Sequence, residues 1–439
     1  MMIMKEGTMS EVTNFKCPGC GAELNFSGKT GEMTCEYCGA SFDMEMVKAA
    51  EEAEKENGSG SSLSWEHVTQ GMLTDESGKI RGYVCPSCNA EMVATELTAA
   101  TECPYCGNQA IVEQAFEGVY KPDLVVPFAV DKETAKSKLK EFIKGKKLLP
   151  ANFANGNRID NITGLYVPFW LFSCHADGFV NFDAYKEKKW SDAKADYVKK
   201  DYYNLKRSGE MDFVRIPVDA ATQIDDATME SLEPYDTTKA VAYDAAYFAG
   251  YLADKYDVTS KDSEPRANTR VQNTFRDKMR EAVKDYDGVT QKAESINLSN
   301  GKSEYAMLPV WMMSGSFEGK TYQFAVNGQS GKMVGALPVD KGKYWLQVAL
   351  GTLVSFAILA GLVIAFGSHD ITSKGIAASL IVGVIIGFIR GAILKGSMNT
   401  VTKKDKAVHY IVESSLKMKT PIDRFLYSKT ERKEKNNNA

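Results

Sequence analysis

Eight cysteines arranged as two matching quartets constrain this chain more than any other feature. Cys17-Pro-Gly-Cys20 is followed, after fourteen residues, by Cys35-Glu-Tyr-Cys38; Cys85-Pro-Ser-Cys88 is followed, again after fourteen, by Cys103-Pro-Tyr-Cys106. A Cys-x-x-Cys turn delivers two thiolates from one tight loop, and a hairpin of this length brings a second pair opposite. That is the donor set of a tetrahedral zinc with sulfur at about 2.3 Å. Gly21, Gly39 and Gly107 follow three of the turns and Asn89 the fourth, as expected where the backbone needs a positive φ. A redox Cys-x-x-Cys does not come as two matched quartets, so the repeat predicts two zinc ribbons. Cys17, Cys20, Cys35 and Cys38 would hold one Zn2+, and Cys85, Cys88, Cys103 and Cys106 a second. With all four positions filled by protein, both ions are expected to be structural, with no place for water or substrate.

The compartment implied by reduced thiols agrees with the N-terminus. Met1 to Val12 is short and polar, without the apolar core of a secretory signal, so the N-terminal part is expected to stay in the cytosol. Ribbon folds often bind nucleic acid, but these carry the wrong charge for phosphate contacts. Residues 14–43 have a net charge of −2 and residues 81–115 a net of −3. Protein contact or plain structural spacing is the expected role. Gly28-Lys29-Thr30 imitates the end of a nucleotide-binding P-loop, but Glu23 stands where its first glycine should be. Between the ribbons, Met44 to Glu56 reads as a short helix and Asn57 to Ser62 as a flexible Gly/Ser linker, making the ribbons separately moving modules.

Residues 116–343 are expected to form an α+β body with mostly antiparallel strands. Leu124 to Val130 reads as a strand interrupted by Pro127, with Asp131 capping a helix over Lys132 to Lys144. A second repeat, Leu165-Tyr-Val-Pro-Phe-Trp-Leu-Phe-Ser173 and Ala306-Met-Leu-Pro-Val-Trp-Met-Met-Ser314, predicts two related core strands. Thr321 to Val326, a turn at Asn327-Gly328 and Lys332 to Gly335 read as a hairpin, while Ala240 to Tyr256 and Asn268 to Asp285 read as helices. Cys174 and His175 are neighbours on a strand and so point to opposite faces, which argues against a nucleophile–base pair. No catalytic constellation emerges, and the chain is expected not to be an enzyme.

Tyr344 to Phe366 is a 23-residue run without a charge, and Gly375 to Leu394 is a second apolar run of similar length. At 1.5 Å per residue each spans about 30 Å, the thickness of a hydrocarbon core. A transmembrane helical hairpin is expected, with Tyr344 and Trp345 at its interface and Arg390 snorkelling near its end. Gly375, Ser379, Gly383, Gly387 and Gly391 line one face of the second run, a surface for the first helix or for a second copy in a homo-oligomer. Residues 367–439 carry 13 Lys/Arg against 6 Asp/Glu. Lys332, Lys341 and Lys343 precede the hairpin and Lys395, Lys403, Lys404 and Lys406 follow it, while the link holds only Lys374. By positive-inside logic this puts both termini in the cytoplasm at the cell membrane. This basic tail would lie beside the lipid bilayer, with Asp423-Arg-Phe-Leu-Tyr427 as an apolar cluster able to dock back.

The Cys-Pro-x-Cys ribbons, the Val167-Pro-Phe-Trp-Leu-Phe172 run and the ending Arg424-Phe-Leu-Tyr427 resemble a family of bacterial membrane proteins with TFIIB-type zinc ribbons, often labelled primosomal helicase-like. The missing motor loop argues against the helicase label. The resemblance implies membrane-stress complexes that recruit phage-shock-type proteins. The expected organisation is zinc ribbon 1 over 10–44, helix and linker over 45–78, zinc ribbon 2 over 79–115, the α+β body over 116–343, the transmembrane hairpin over 344–395 and a basic tail over 396–439. The expected function is a membrane-anchored adaptor recruiting protein partners; the alternative is a membrane-tethered nucleic-acid-binding regulator.

Overall fold

The protein is described by a computed structural model. It describes residues 24–27, 32–34, 41–42, 65–68, 72–73, 80–95, 102–109, 111–114, 119–154, 162–366 and 372–435. Cys17, Cys20, Cys35 and Cys38 lie outside the described residues, as do the helix expected at Met44 and the Gly/Ser linker.

β1 (Asn25–Ser27), β2 (Glu32–Thr34) and β3 (Ser41–Phe42) form a small antiparallel sheet, Phe26 opposite Met33. β4 (Glu66–Val68) and β5 (Met72–Leu73) follow. The second quartet is carried by β6 (Ile80–Val84), β7 (Glu91–Thr95) and β8 (Val112–Gln114), with β6 in the middle. β9 (Val119–Tyr120) pairs with β5.

The body is built on β10 (Leu124–Val125), β11 (Thr163–Ser191), β12 (Ala195–Asp219), β13 (Val241–Ala242), β14 (Leu252–Asp254), β15 (Gly288–Phe317), β16 (Lys320–Asn327) and β17 (Met333–Gly335). β18 (Lys417–Met418) and β19 (Ile422–Glu434) join from the C-terminal region. Fourteen strands hydrogen-bond into one mostly antiparallel sheet, which makes the fold α+β. Its parallel pairings are β4 and β10 with β15, and β14 with β11. The two Pro-Trp segments are neighbours in the sheet, Leu165 opposite Val310 and Phe169 opposite Ala306. Their apolar character follows: Tyr166, Val167, Phe169, Trp170, Leu171 and Phe172 are all buried, as are Leu308, Val310 and Met312.

β11, β12 and β15 run 29, 25 and 30 residues. At about 3.3 Å per residue, β11 has a contour of roughly 95 Å. The three strands form an arm whose far end is the β11–β12 turn, where Asp192 accepts from the amides of Lys194 and Ala195. α1 (Lys132–Ile143) is capped by Asp131, which accepts from Thr134 N at 2.7 Å, as expected. α2 (Ala151–Ala154) and α3 (Asp226–Leu232) are short. α4 (Ser260–Glu281) lays Ala267, Val271, Phe275 and Met279 against the arm, an i, i+4 stripe buried with Phe182, Leu205 and Phe213.

The segment Ala240–Tyr256, read as a helix, is not one. Asp244 caps a single turn over Ala245–Phe248, Gly250 takes φ +86° after it, and Leu252–Asp254 leaves to pair with β11 and β7. Pairing on both edges of β14 outweighs the helical propensity of the alanines. The second ribbon is likewise not a free module. Ala94 pairs with Leu252 and Met92 with Asp254, and Tyr83, Met92, Ala94 and Tyr105 share an apolar cluster with Val126, Leu165, Val167 and Leu308.

α5 (Lys341–Phe366) and α6 (Thr372–Gly396) are the two long apolar helices, each long and apolar enough to cross a membrane. They pack as a hairpin whose outer surface is bare: Leu353 is 63% exposed, Ile364 64%, Ile381 63% and Ile393 68%. A soluble core pair would hide these side chains. The small-residue strip of α6 is spent on α5. A Cβ added to Gly391 would meet Val348 Cγ2 at 2.6 Å, and one on Gly387 would meet Val348 O at 2.7 Å. The strip thus faces the first helix. Arg390 does not simply extend outward; its Nη2 donates to Gln347 Oε1 of α5 at 2.8 Å. Gly387→Leu is expected to overpack this seam and destabilise the hairpin by about 1–3 kcal/mol. Thermal unfolding in detergent checks it, with Gly361→Leu, where a Cβ meets nothing within 4 Å, left near neutral.

Residues 396–435, most of the stretch 396–439 read as a basic tail, are instead built into the body. After α6, Thr402 N donates to Ser231 Oγ at 2.8 Å, Lys404 N to Glu230 Oε2 at 2.9 Å and Ala407 N to Thr274 Oγ1 at 2.7 Å. This strap ends beside Tyr410, which is buried. The chain then runs out along the arm, where β19 pairs antiparallel with β12 from Lys206 opposite Ile422 to Ala195 opposite Glu434. The apolar cluster Asp423 to Tyr427 therefore does dock back, as part of this strand.

Candidate metal centre

The second quartet is assembled by two turns presented on the ribbon sheet. At the first, Asn89 N donates to Cys85 O at 2.8 Å and Cys85 N to Ala90 O at 3.0 Å; Asn89 takes φ 58°. At the second, Gly107 N donates to Cys103 O at 2.9 Å and Cys103 N to Asn108 O at 2.8 Å; Gly107 takes φ 72°. Both positive-φ positions are those expected from the residue types.

These turns bring the four sulfurs within 4.8 Å of one another. Cys85 Sγ lies 3.6 Å from Cys106 Sγ, and Cys88 Sγ 3.6 Å from Cys103 Sγ. A tetrahedron with metal–sulfur bonds of about 2.3 Å has sulfur–sulfur edges of about 3.8 Å, so the four thiols are placed to hold one metal ion. Cys85 and Cys103 are buried, Cys88 and Cys106 partly so.

The thiols are unequal without metal. Burial pushes Cys85 up, but the backbone amides of Cys88 and Ser87 and the thiols of Cys106 and Cys88 bring it down to about 7. Burial pushes Cys88 up to about 11 and Cys103 further still. Ligands must be thiolates, so loading this centre releases protons, and acid opposes it.

Around the thiols sits a supporting layer. Asn108 Nδ2 reaches Cys85 Sγ at 3.9 Å, and Gln323 Nε2 donates to Tyr105 O at 3.0 Å. Tyr105 OH donates to Asp254 Oδ2 from between two cysteine positions, in a wholly buried pair. With no cation beside it, Asp254 is pushed up by burial to about 7. Asn108 adjoins its turn and was findable by position; Asp254 lies 149 residues away and has no local signal.

Elsewhere, Cys174 is buried in the core and pushed up to about 12 by burial, while His175 on the opposite face holds Asp212 Oδ1 through Nδ1 at 2.6 Å. The strand separates the thiol from the imidazole, in line with the alternation of the sequence.

Comparison with known proteins finds the uncharacterized protein YdjG of Bacillus subtilis (strain 168), 30% identical over 352 residues, which cover 80% of this chain and 98% of that protein. The chain belongs to the YdjG family. No family model matches it. No solved structure matches it. YdjG family membership thus extends over most of the chain, and YdjG itself is described only as uncharacterized.

Proposed function

We propose that this chain is a membrane-anchored zinc-ribbon adaptor that recruits protein partners at the cytoplasmic face, in the manner of the TFIIB-type zinc-ribbon membrane proteins it resembles. The observation that carries this reading is the pair of helices α5 and α6. Their apolar side chains face outward, and both outer ends join one α+β body. A bilayer is the solvent that such a surface fits. Lys341, Lys343 and Lys395 at the body end favour the cytoplasm for that side.

Four thiolates around one tetrahedral position suit zinc, and a second Zn2+ in the first quartet follows from the matching spacing. A four-sulfur site is closed to substrate, which supports a structural metal. The arm carries the β11–β12 turn beyond the buried Pro-Trp segments, a reach suited to holding partners. The acidic ribbons favour protein over nucleic acid.

The test is recovery of partners from solubilised membranes, before and after nuclease, with the wild-type chain and Cys85→Ser/Cys103→Ser. A protein partner that survives nuclease and disappears with the metal supports the adaptor. Nucleic acid alone, abolished by nuclease, overturns it in favour of a membrane-tethered regulator. A wild-type chain washed from membranes by alkaline carbonate would overturn the anchor itself.

A further inference from the structure

The apolar hairpin meets the body at a collar of lysines. Asp340 N, at the start of α5, donates to Leu148 O at 2.9 Å, and Lys343 Nζ donates to Leu149 O at 2.6 Å. Lys146 Nζ donates to Ser397 O, just past the end of α6. Phe142 and Ile143, at the end of α1, pack on the same cluster as Tyr344 and Leu394 of the two long helices. The end of α1 and the loop after it therefore lie level with the body ends of both helices. At this level stand Lys140, Lys144, Lys146, Lys147, Lys341, Lys343 and Lys395, against Glu141 and Asp340.

The acids are already engaged. Glu141 pairs with Lys138, and Asp340 accepts from Lys343 N. Lys140, Lys144, Lys147, Lys341 and Lys395 are exposed, and among the described residues none is in an ion pair. α1 sets its apolar side, Ala135 and Leu139, into the body and leaves Lys132, Lys138 and Lys140 outside. Two of the tail cations that the sequence alone would assign to lipid are committed elsewhere: Lys404 Nζ donates to Glu233 O at 3.0 Å and Lys406 pairs with Asp277 at 2.6 Å.

We propose that the collar formed by the end of α1, loop 144–147 and the body ends of α5 and α6 binds the anionic phospholipid headgroups of the leaflet next to the body. The inference rests on the membrane reading above. Its partner follows from position and charge: cations at the mouth of a spanning hairpin meet headgroup phosphates before any soluble anion. Bound lipid would hold the base of the arm in one attitude to the membrane surface.

The test uses the full chain, one copy per lipid nanodisc, in phosphatidylcholine alone or mixed with phosphatidylglycerol. Amide hydrogen exchange reads residues 140–147, with β19 as the internal reference. Exchange several-fold slower in the anionic discs is expected. The slowing should vanish at high salt and in Lys140→Gln/Lys144→Gln/Lys147→Gln/Lys395→Gln with metal content unchanged. Equal exchange in both discs overturns the collar while leaving the anchor standing. Slowing that survives in the four-glutamine chain also overturns it, and so does equal slowing by inorganic phosphate added to neutral discs. A chain that enters neither disc overturns the anchor and the collar together.

Discussion

Cys103→Ser is expected to empty the second quartet and to loosen the body with it. Structural zinc contributes roughly 10–16 kcal/mol of apparent binding free energy near neutral pH in small zinc domains. A hydroxyl in place of one sulfur removes the donor that burial has desolvated most among those whose shift is resolved. In an isolated ribbon the damage would stop at the ribbon. Here β7 pairs with β14, and Cys85, Cys103 and Tyr105 lie in the cluster that contains Leu165 and Leu308. Metal analysis should show the loss of one equivalent per chain, and thermal unfolding in detergent should begin well below that of the wild type. Cys174→Ser is the control, because Cys174 lies in the core away from the quartet and its loss leaves metal content unchanged. A Cys103→Ser chain with full metal and an unaltered melting curve would exclude this centre.

Arg270→Met is expected to be the most damaging substitution away from the metal, at about 3–5 kcal/mol. Arg270 on α4 is buried and pairs with buried Glu233 at 2.6 Å. Its remaining donors go to Pro217 O at 2.6 Å and Lys406 O at 3.2 Å. One guanidinium thus joins the helix, the end of β12, the segment after α3 and the strap that follows the two long apolar helices. Removing it leaves a buried carboxylate, which burial already pushes towards protonation, without its main cation. Arg270→Met/Glu233→Gln should recover part of the loss, because the orphaned charge is gone. Denaturant unfolding of the three variants measures this, and a double variant no more stable than Arg270→Met would show that the charge was not the cause.

What could be read in the sequence was what local chemistry dictates. Cysteine spacing, with Asn89 and Gly107 after the turns, located the second centre because a metal dictates its own geometry. The long helices were legible because 23 residues without charge admit few other solutions; the structure extends them only to Lys341–Phe366 and Thr372–Gly396. Asp131 announced α1 for the same local reason. Illegible were pairings set by distant partners. Leu252–Asp254 became a strand through β7 and β11. Lysines at 404 and 406 look solvated in one dimension and are tied to Glu233 and Asp277 in three. The 30-residue span of β15 was hidden too, because β11, a distant partner, carries the ladder past Asn297, Ser299, Asn300 and Gly301 with register shifts.

The docking of β19 on β12 also sets a timetable. β12 leaves the ribosome more than 200 residues before its partner, with both long apolar helices made in between. Until residues 417–434 are translated, the outer edge of the arm shows unpaired amides and carbonyls along much of its length. The arm can therefore be sealed only after the hairpin has been synthesised. A ribosome that stalls just after α6 would release a chain whose two long helices are complete but whose longest strand edge is still open to whatever strand arrives first.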